Sequence, residues 1–133
     1  LVRGRGITMT STQYELLDLL KRVADFLDEH GITFYLFGGT AIGAIRHRGF
    51  IPWDDDVDIL VDRDNYYRLI EASSSLPDDL EFDCFELNHS YAKPYGMFSK
   101  KTVTATSRSR MYWGSYVSFA YSICHLGWIC QRY

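Results

Sequence analysis

The sequence predicts an α/β domain in which helices alternate with the strands of a central sheet. An apolar stripe at helical spacing follows residue 12, and three short runs rich in β-branched or aromatic residues begin at Ile32, Val57 and Leu80. A second helical pattern separates the last two runs. Alternation of the two element types is typical of α/β architectures, and 133 residues with 47% hydrophobic content suit one globular domain.

The first helix has the clearest pattern. Residues 1–10 lack an apolar period and are predicted to be a flexible lead-in. Thr12 and Glu15 fit a capping box at the helix N-terminus, and Gly31 supplies a left-handed C-terminal stop. The stripe between them, which predicts a core-facing surface, consists of Leu16, Leu20, Val23 and Leu27.

Shorter elements follow. Residues 32–37 predict a short buried strand, Gly38-Gly39 interrupts it, and residues 40–46 predict a short helix. A second strand is predicted over residues 57–61, and Asp62 or Asp64 is expected to cap a helix that continues to residue 72. Further strands are predicted over residues 80–87 and 100–105, whereas residues 107–133 show neither period.

Charge and cysteine content limit the classes of function. The net charge of −3 argues against a general nucleic-acid binder, and the concentration of acids in residues 51–90 suggests cation binding. Cys84, Cys124 and Cys130 lack a zinc-site spacing. The longest apolar stretch, residues 116–130, is shorter than the ~20 residues of a bilayer span, so we predict a cytoplasmic protein without a transmembrane segment.

The segment between the first two strands has features of a phosphate site. Gly38 and Gly39 allow a phosphate to approach the backbone at a helix start, and Thr40 can cap that helix or donate its hydroxyl. An ordinary strand-to-helix turn is the alternative, because short glycine motifs are weak signals.

A cluster of carboxylates begins the second strand. Because side chains two apart on a strand share a face, Asp56 and Asp58 are expected to converge while Val57 and Ile59 enter the core. Carboxylates this close repel each other unless a cation lies between them, and hard oxygen ligands suit Mg²⁺ or Mn²⁺. We therefore predict a metal site at Asp56 and Asp58, with Asp54 as a further candidate ligand. A solvated acidic turn is the alternative.

Three more side chains are candidates for substrate binding. Arg46 can hold phosphate oxygens in its guanidinium fork, or it can be a cation at a helix C-terminus. Trp53 can stack on a base or pack beneath the turn. Lys93 can reach a phosphate, although exposed lysines are common.

Residues 38–59 resemble, without a gap, the signature of the LicD family; their sequence is GGTAIGAIRHRGFIPWDDDVDI. That family belongs to the nucleotidyltransferase superfamily and includes phosphorylcholine transferases and fukutin-related phosphoribitol transferases. The resemblance implies a nucleotidyltransferase-like mixed sheet flanked by helices. It also implies transfer of a phospho-alcohol group from a CDP-activated donor, with CDP-choline expected, to a hydroxyl of a cell-surface glycan or glycolipid such as lipopolysaccharide or teichoic acid. A peripheral position at the inner face of the membrane would suit such an acceptor.

The resemblance also implies roles for individual residues. Mg²⁺ would lie at Asp56 and Asp58, and Arg46 would neutralise charge. The residues that would hold the donor phosphates are Gly38, Gly39 and Thr40.

The C-terminal part departs from the family pattern. Members are usually longer, and a later Gly-x-x-x-Asp-Ile-Phe-Pro segment supplies a further carboxylate where this chain has Ser118. We expect residues 11–114 to form the N-terminal part of a catalytic domain that is incomplete at its C-terminus, and residues 115–133 to form an atypical tail. Nucleotidyl transfer to a small molecule or protein, or an inactive nucleotide-binding fragment, are alternative functions.

Overall fold

The computed structural model describes residues 8–101 and 116–120, the latter as backbone only. Within these residues, three α-helices and five strands follow one another. In order they are α1 (Ser11–Glu29), β1 (Tyr35–Leu36), α2 (Gly38–Arg46), β2 (Val57–Leu60), α3 (Arg63–Ala72), β3 (Leu80–Asp83), β4 (Gly96–Lys100) and β5 (Tyr116–Ala120). The predicted α/β class is confirmed.

The strands form one mixed sheet with the order β1-β2-β5-β4-β3. β2 and β5 run parallel, whereas the other three neighbouring pairs are antiparallel. The central strand, β5, is therefore the last of the described strands, and it was not predicted. β4 also lies earlier than the strand predicted over residues 100–105, of which residues 102–105 lie outside the described part of the chain.

The core lies between α1, α3 and one face of the sheet. The buried residues of α1 are Gln13, Leu16, Leu19, Val23, Phe26 and Leu27. They belong to one cluster with Val57 and Ile59 of β2, Leu69 of α3 and Phe98 of β4, apart from the polar Gln13. As predicted, Val57 and Ile59 are fully buried, and the carboxylates on either side of Val57 are only partly buried. None of the helices in the described residues is both long and apolar enough to cross a bilayer.

The capping box of α1 is formed by Thr10 and Gln13, so the prediction of Thr12 and Glu15 was wrong. Thr10 Oγ1 accepts from the Gln13 amide at 3.1 Å, and Gln13 Oε1 accepts from the Thr10 amide at 3.0 Å. Both pairs satisfy the same sequence pattern. Glu15 instead accepts from Lys100 Nζ at 2.8 Å, which connects α1 to β4.

The remaining elements form where they were predicted, but β1 and β3 are shorter than predicted. β1 contains only two residues, and Tyr35 is 61% exposed, because an edge strand has a neighbour on one side only. The prediction of a buried strand there was wrong. Asp62 caps α3 by accepting from the Asn65 amide at 2.9 Å, and β3 ends at Asp83 rather than at residue 87.

Candidate functional site

The predicted site lies where the first turn of α2 meets the start of β2. The Asp58 amide donates to Thr40 Oγ1 at 2.9 Å, and the Asp58 carbonyl accepts from the Phe37 amide at 2.9 Å. These two bonds hold the N-terminus of α2 against the strand that carries the carboxylates. Gly38, Gly39 and Thr40 consequently form the first turn of α2 itself.

The two glycines allow this close approach. Gly38 has a φ of +55°, and a Cβ there would lie 3.3 Å from Asp58 Oδ2. A Cβ on Gly39 would lie only 2.8 Å from Asp54 Oδ2, closer than real Cβ contacts. The positive φ favours glycine at residue 38, and a side chain at residue 39 would force the Asp54 carboxylate to shift.

The carboxylates are crowded and partly desolvated. Asp54, Asp55 and Asp56 each offer an oxygen within 4.8 Å of the other two. Asp58 lies outside that group of three, although its charge acts on Asp56. Burial, followed by the charges of Asp58 and Asp54, raises the pKa of Asp56 to about 6. Burial and then the charge of Asp54 also raise the pKa of Asp58.

A divalent cation fits this donor set. Asp54 Oδ2 is buried and has no hydrogen-bond partner among the described residues. Burial, and after it the repulsion between carboxylates, raises the pKa of Asp56 and Asp58, and a cation would offset both effects. Oxygen ligands of this kind suit Mg²⁺ or Mn²⁺. Asp55, which was not predicted as a ligand, is exposed at the edge of the cluster; the unbroken run of three aspartates was the signal for it.

Gln13 binds the backbone of the acidic loop, defined as residues 51–56, and this role was not predicted. Its side chain is 1% exposed. Nε2 donates to the carbonyls of Asp54 at 2.9 Å and Ile51 at 3.1 Å, while Oε1 belongs to the helix cap. One buried amide thus connects the N-terminus of α1 to the backbone of the carboxylate cluster. The capping pattern was visible in the sequence, but the contact across 41 residues was not.

Of the other predicted substrate-binding residues, Trp53 is adjacent to the carboxylates, whereas Arg46 and Lys93 lie in other parts of the fold. Arg46 is in the last turn of α2, eight residues after Gly38, which is roughly 12 Å along a helix axis. Trp53 directly precedes the acidic run and is 80% exposed, so it does not pack beneath the turn. Lys93 donates to Met97 Sδ at 3.4 Å, and Met97 lies two strands away from Asp58.

Comparison with known proteins identifies relatives of this chain. The chain is 43% identical over 68 residues to the lipopolysaccharide cholinephosphotransferase LicD of Haemophilus influenzae, covering 51% of this chain and 26% of that protein. It is 32% identical over 85 residues to an uncharacterised protein of Rickettsia prowazekii, covering 64% and 30%. It is 41% identical over 44 residues to the human ribitol 5-phosphate transferase FKRP, covering 33% and 9%. The aligned segments thus span less than a third of each relative.

The family itself is defined by a longer match. Residues 31–122 match the model described as LicD/FKTN/FKRP, nucleotidyltransferase domain. This range includes the glycine pair, the carboxylates and all the strands of the sheet. The predicted resemblance is confirmed, and the chain belongs to the LicD/FKTN/FKRP nucleotidyltransferase-domain family.

Proposed function

We propose that this domain binds a divalent cation together with the phosphates of a CDP-activated donor, and that it transfers a phospho-alcohol group to a glycan hydroxyl. The observation that carries the proposal is the contact between the first turn of α2 and the aspartates, because a helix N-terminus favours anions and a carboxylate cluster favours cations. The names of two relatives, a cholinephosphotransferase and a ribitol 5-phosphate transferase, support the class of group transferred. The first name also supports phosphocholine as the group and lipopolysaccharide as the acceptor, whereas CDP-choline as the donor is what the family resemblance implies.

The roles of the residues follow from their positions. Asp56 and Asp58, with Asp54, would hold Mg²⁺ or Mn²⁺, which supplies positive charge where negative charge develops on the phosphate. Gly38 and Gly39 lie in the first turn of α2, and the amides of a helix N-terminus favour anions. Thr40 uses an oxygen lone pair for the Asp58 amide, so its hydroxyl hydrogen can still donate to a phosphate oxygen.

Three cationic or aromatic side chains would complete donor binding. Trp53 presents an exposed ring beside the acidic run, where it can stack on the cytosine base. Arg46 and Lys93 carry positive charges on long side chains, and each would neutralise donor charge if its side chain reorients toward the phosphates. Catalysis at such a site depends on positioning and on electrostatic stabilisation of the phosphoryl group.

Calorimetric titration of CDP-choline, with and without Mg²⁺, tests the proposal. We expect binding that requires Mg²⁺ in the wild type and is lost in the Asp56→Asn/Asp58→Asn protein, because the cation loses its carboxylate ligands. Asp25→Asn is the control, since Asp25 is an exposed carboxylate of α1. The proposal fails if a folded wild type does not bind, or if the double variant binds equally well.

Isotope labels distinguish the proposed reaction from nucleotidyl transfer. We expect the label of choline, and not that of the nucleotide, to appear on a lipopolysaccharide acceptor. A labelled nucleotide on the product would instead establish nucleotidyl transfer.

A further inference from the structure

A cavity of about 580 Å³ lies beside the loop that joins β3 to β4. The first turn of α3 contributes Tyr66 to its wall, and the loop contributes Phe85, Tyr91 and Tyr95. Small-molecule sites are typically clefts of ~300–1,000 Å³ lined by apolar and aromatic side chains with a few polar groups. The size and the lining of this cavity are those of a ligand site.

The polar groups of the cavity include an acidic side chain, a basic side chain and a tyrosine hydroxyl. Glu86 accepts from the Tyr66 hydroxyl at 2.6 Å, and Lys93 Nζ lies 5.7 Å from the centre of the Tyr95 ring. The Tyr91 hydroxyl oxygen is buried and lacks a hydrogen-bond partner within the described part of the chain. Because its oxygen has essentially no exposed surface, this hydroxyl bonds to a ligand only after its side chain turns toward the cavity, and the free-energy cost of a buried unpaired hydroxyl favours that change.

This lining suits a neutral, polyhydroxylated ring better than a charged small molecule. The positive charge of Lys93 repels a cation such as a quaternary ammonium group, although aromatic walls would otherwise attract one. Glu86 opposes an anion such as a free phosphate. A sugar ring can place its apolar C–H face on the exposed Phe85 ring and direct its hydroxyls to Tyr91 and Lys93.

The pairing of the strands sets the distance between the cavity and the carboxylates. Lys93 of the cavity wall donates to Met97, Met97 pairs with Ser118 of β5, and Ser118 pairs with Asp58. With neighbouring strands ~4.8 Å apart, Met97 lies about 10 Å from Asp58 across the sheet. A short oligosaccharide spans such a distance.

We propose that the cavity binds a sugar unit of the acceptor glycan, so that a hydroxyl of a neighbouring unit lies near Asp58. Its role as an acceptor subsite depends on the proposed function, whereas sugar binding by the cavity does not. The two can therefore be tested separately.

Saturation-transfer NMR with simple methyl glycosides, in the absence of donor and metal, tests the cavity. The probes are the methyl glycosides of glucose, galactose, N-acetylglucosamine and N-acetylgalactosamine. We expect at least one to bind, and we expect Phe85→Ala and Tyr91→Phe to weaken that binding by roughly five- to tenfold. Phe85 is 54% exposed, so its truncation leaves the core intact, and Tyr14→Ala removes a similarly exposed ring of α1 as the control.

Three results would overturn the proposal: no binding of any glycoside, equal binding by the two cavity variants and the control, or displacement of the glycoside by tetramethylammonium. The Asp56→Asn/Asp58→Asn protein is expected to retain glycoside binding. Glycoside binding without binding of CDP-choline by the wild type would refute the proposed function alone. Mg²⁺-dependent donor binding without glycoside binding would refute the sugar site alone.

Discussion

Gln13 connects two parts of the chain that are distant in sequence, because its amide bonds both to the cap of α1 and to the backbone of the acidic loop. Gln13→Glu keeps an oxygen for the Thr10 amide but places a carboxylate against the carbonyls of Ile51 and Asp54. We expect Mn²⁺ affinity, measured by EPR titration, to fall about tenfold, as for other groups that orient metal ligands. We also expect unfolding free energy to fall by ~1–3 kcal/mol, because the two carbonyls lose their donor.

Thr10→Ala is the matched control for Gln13. It removes the capping hydroxyl, which costs ~1 kcal/mol of stability, but it leaves the bonds from Gln13 to the acidic loop in place. We expect this variant to bind Mn²⁺ like the wild type. Equal Mn²⁺ affinities in the two variants would mean that Gln13 stabilises the helix without positioning the site.

The pKa of Asp56 predicts opposite effects of pH on stability and on metal binding. Its folded-state pKa of about 6 lies above the ordinary value of 3.8. The folded state therefore binds this proton more tightly, and the resulting stabilisation is present below pH 3.8 and is lost as pH rises through about 6. Metal binding needs the ionised carboxylate, so affinity should fall by up to about tenfold per pH unit below pH 6.

Mn²⁺ titrations and metal-free melting curves between about pH 5 and 7.5 check this prediction, because the range brackets the raised pKa. The comparison that isolates Asp56 is with Asp56→Asn, whose metal-free stability should change less over this range than that of the wild type. A wild-type loss of stability no larger than that of the variant would contradict the raised pKa.

At the scale of single elements, the contact between α2 and the loop after it depends on one glycine. A Cβ on the buried Gly43 would lie 2.6 Å from the Gly49 carbonyl oxygen and 3.1 Å from the Ile51 amide, whereas a Cβ on Gly49 would meet nothing within 4 Å. We expect Gly43→Ala to lower the unfolding free energy by ~1–3 kcal/mol through overpacking, although alanine recovers up to ~1 kcal/mol of helix propensity. Gly49→Ala should be close to neutral. Urea denaturation of both variants measures the difference, and equal midpoints would contradict this packing.

The elements that the sequence predicted best are those whose signal is local. Three features follow from residues that are neighbours in the sequence: the helical spacing of the apolar residues in α1, the alternation of buried and half-buried residues in β2, and the Asp62 cap of α3. The exact cap of α1 could not be chosen, because two overlapping patterns satisfy the same rule. The length and the burial of β1 were overestimated, because its aromatic composition does not reveal that it lies at an edge of the sheet.

The site was predictable for the same reason, and its supporting contacts were not. The glycine pair and the aspartates lie within 21 residues, from Gly38 to Asp58, so their proximity follows from one strand-helix-strand unit. The bonds from Gln13 and the pairing of Met97 with β5 join residues that are far apart along the chain. Such contacts depend on the packed fold, and the apolar period does not encode them.

For the whole molecule, the decisive feature is the position of β5 at the centre of the sheet. β5 pairs with β2 on one side and with β4 on the other, so it joins the strand of the carboxylates to the strands beside the cavity. Without it, β1-β2 and β3-β4 would be separate two-stranded ribbons, which are marginally stable in water. The division of the chain between residues 114 and 115 stays a prediction, but β5 lies on the far side of it.

Truncation tests that division. A chain of residues 1–114 lacks β5, and we expect it to lose cooperative thermal unfolding and Mn²⁺ binding together, because α1 then has no continuous sheet to pack against. A chain of residues 1–122 keeps β5 and the whole family match, and we expect it to melt cooperatively and to bind Mn²⁺. Circular dichroism melts and EPR titrations of both chains supply the comparison. If the shorter chain melts like the longer one, residues 11–114 are a complete folding unit and β5 is an addition to its sheet rather than its centre.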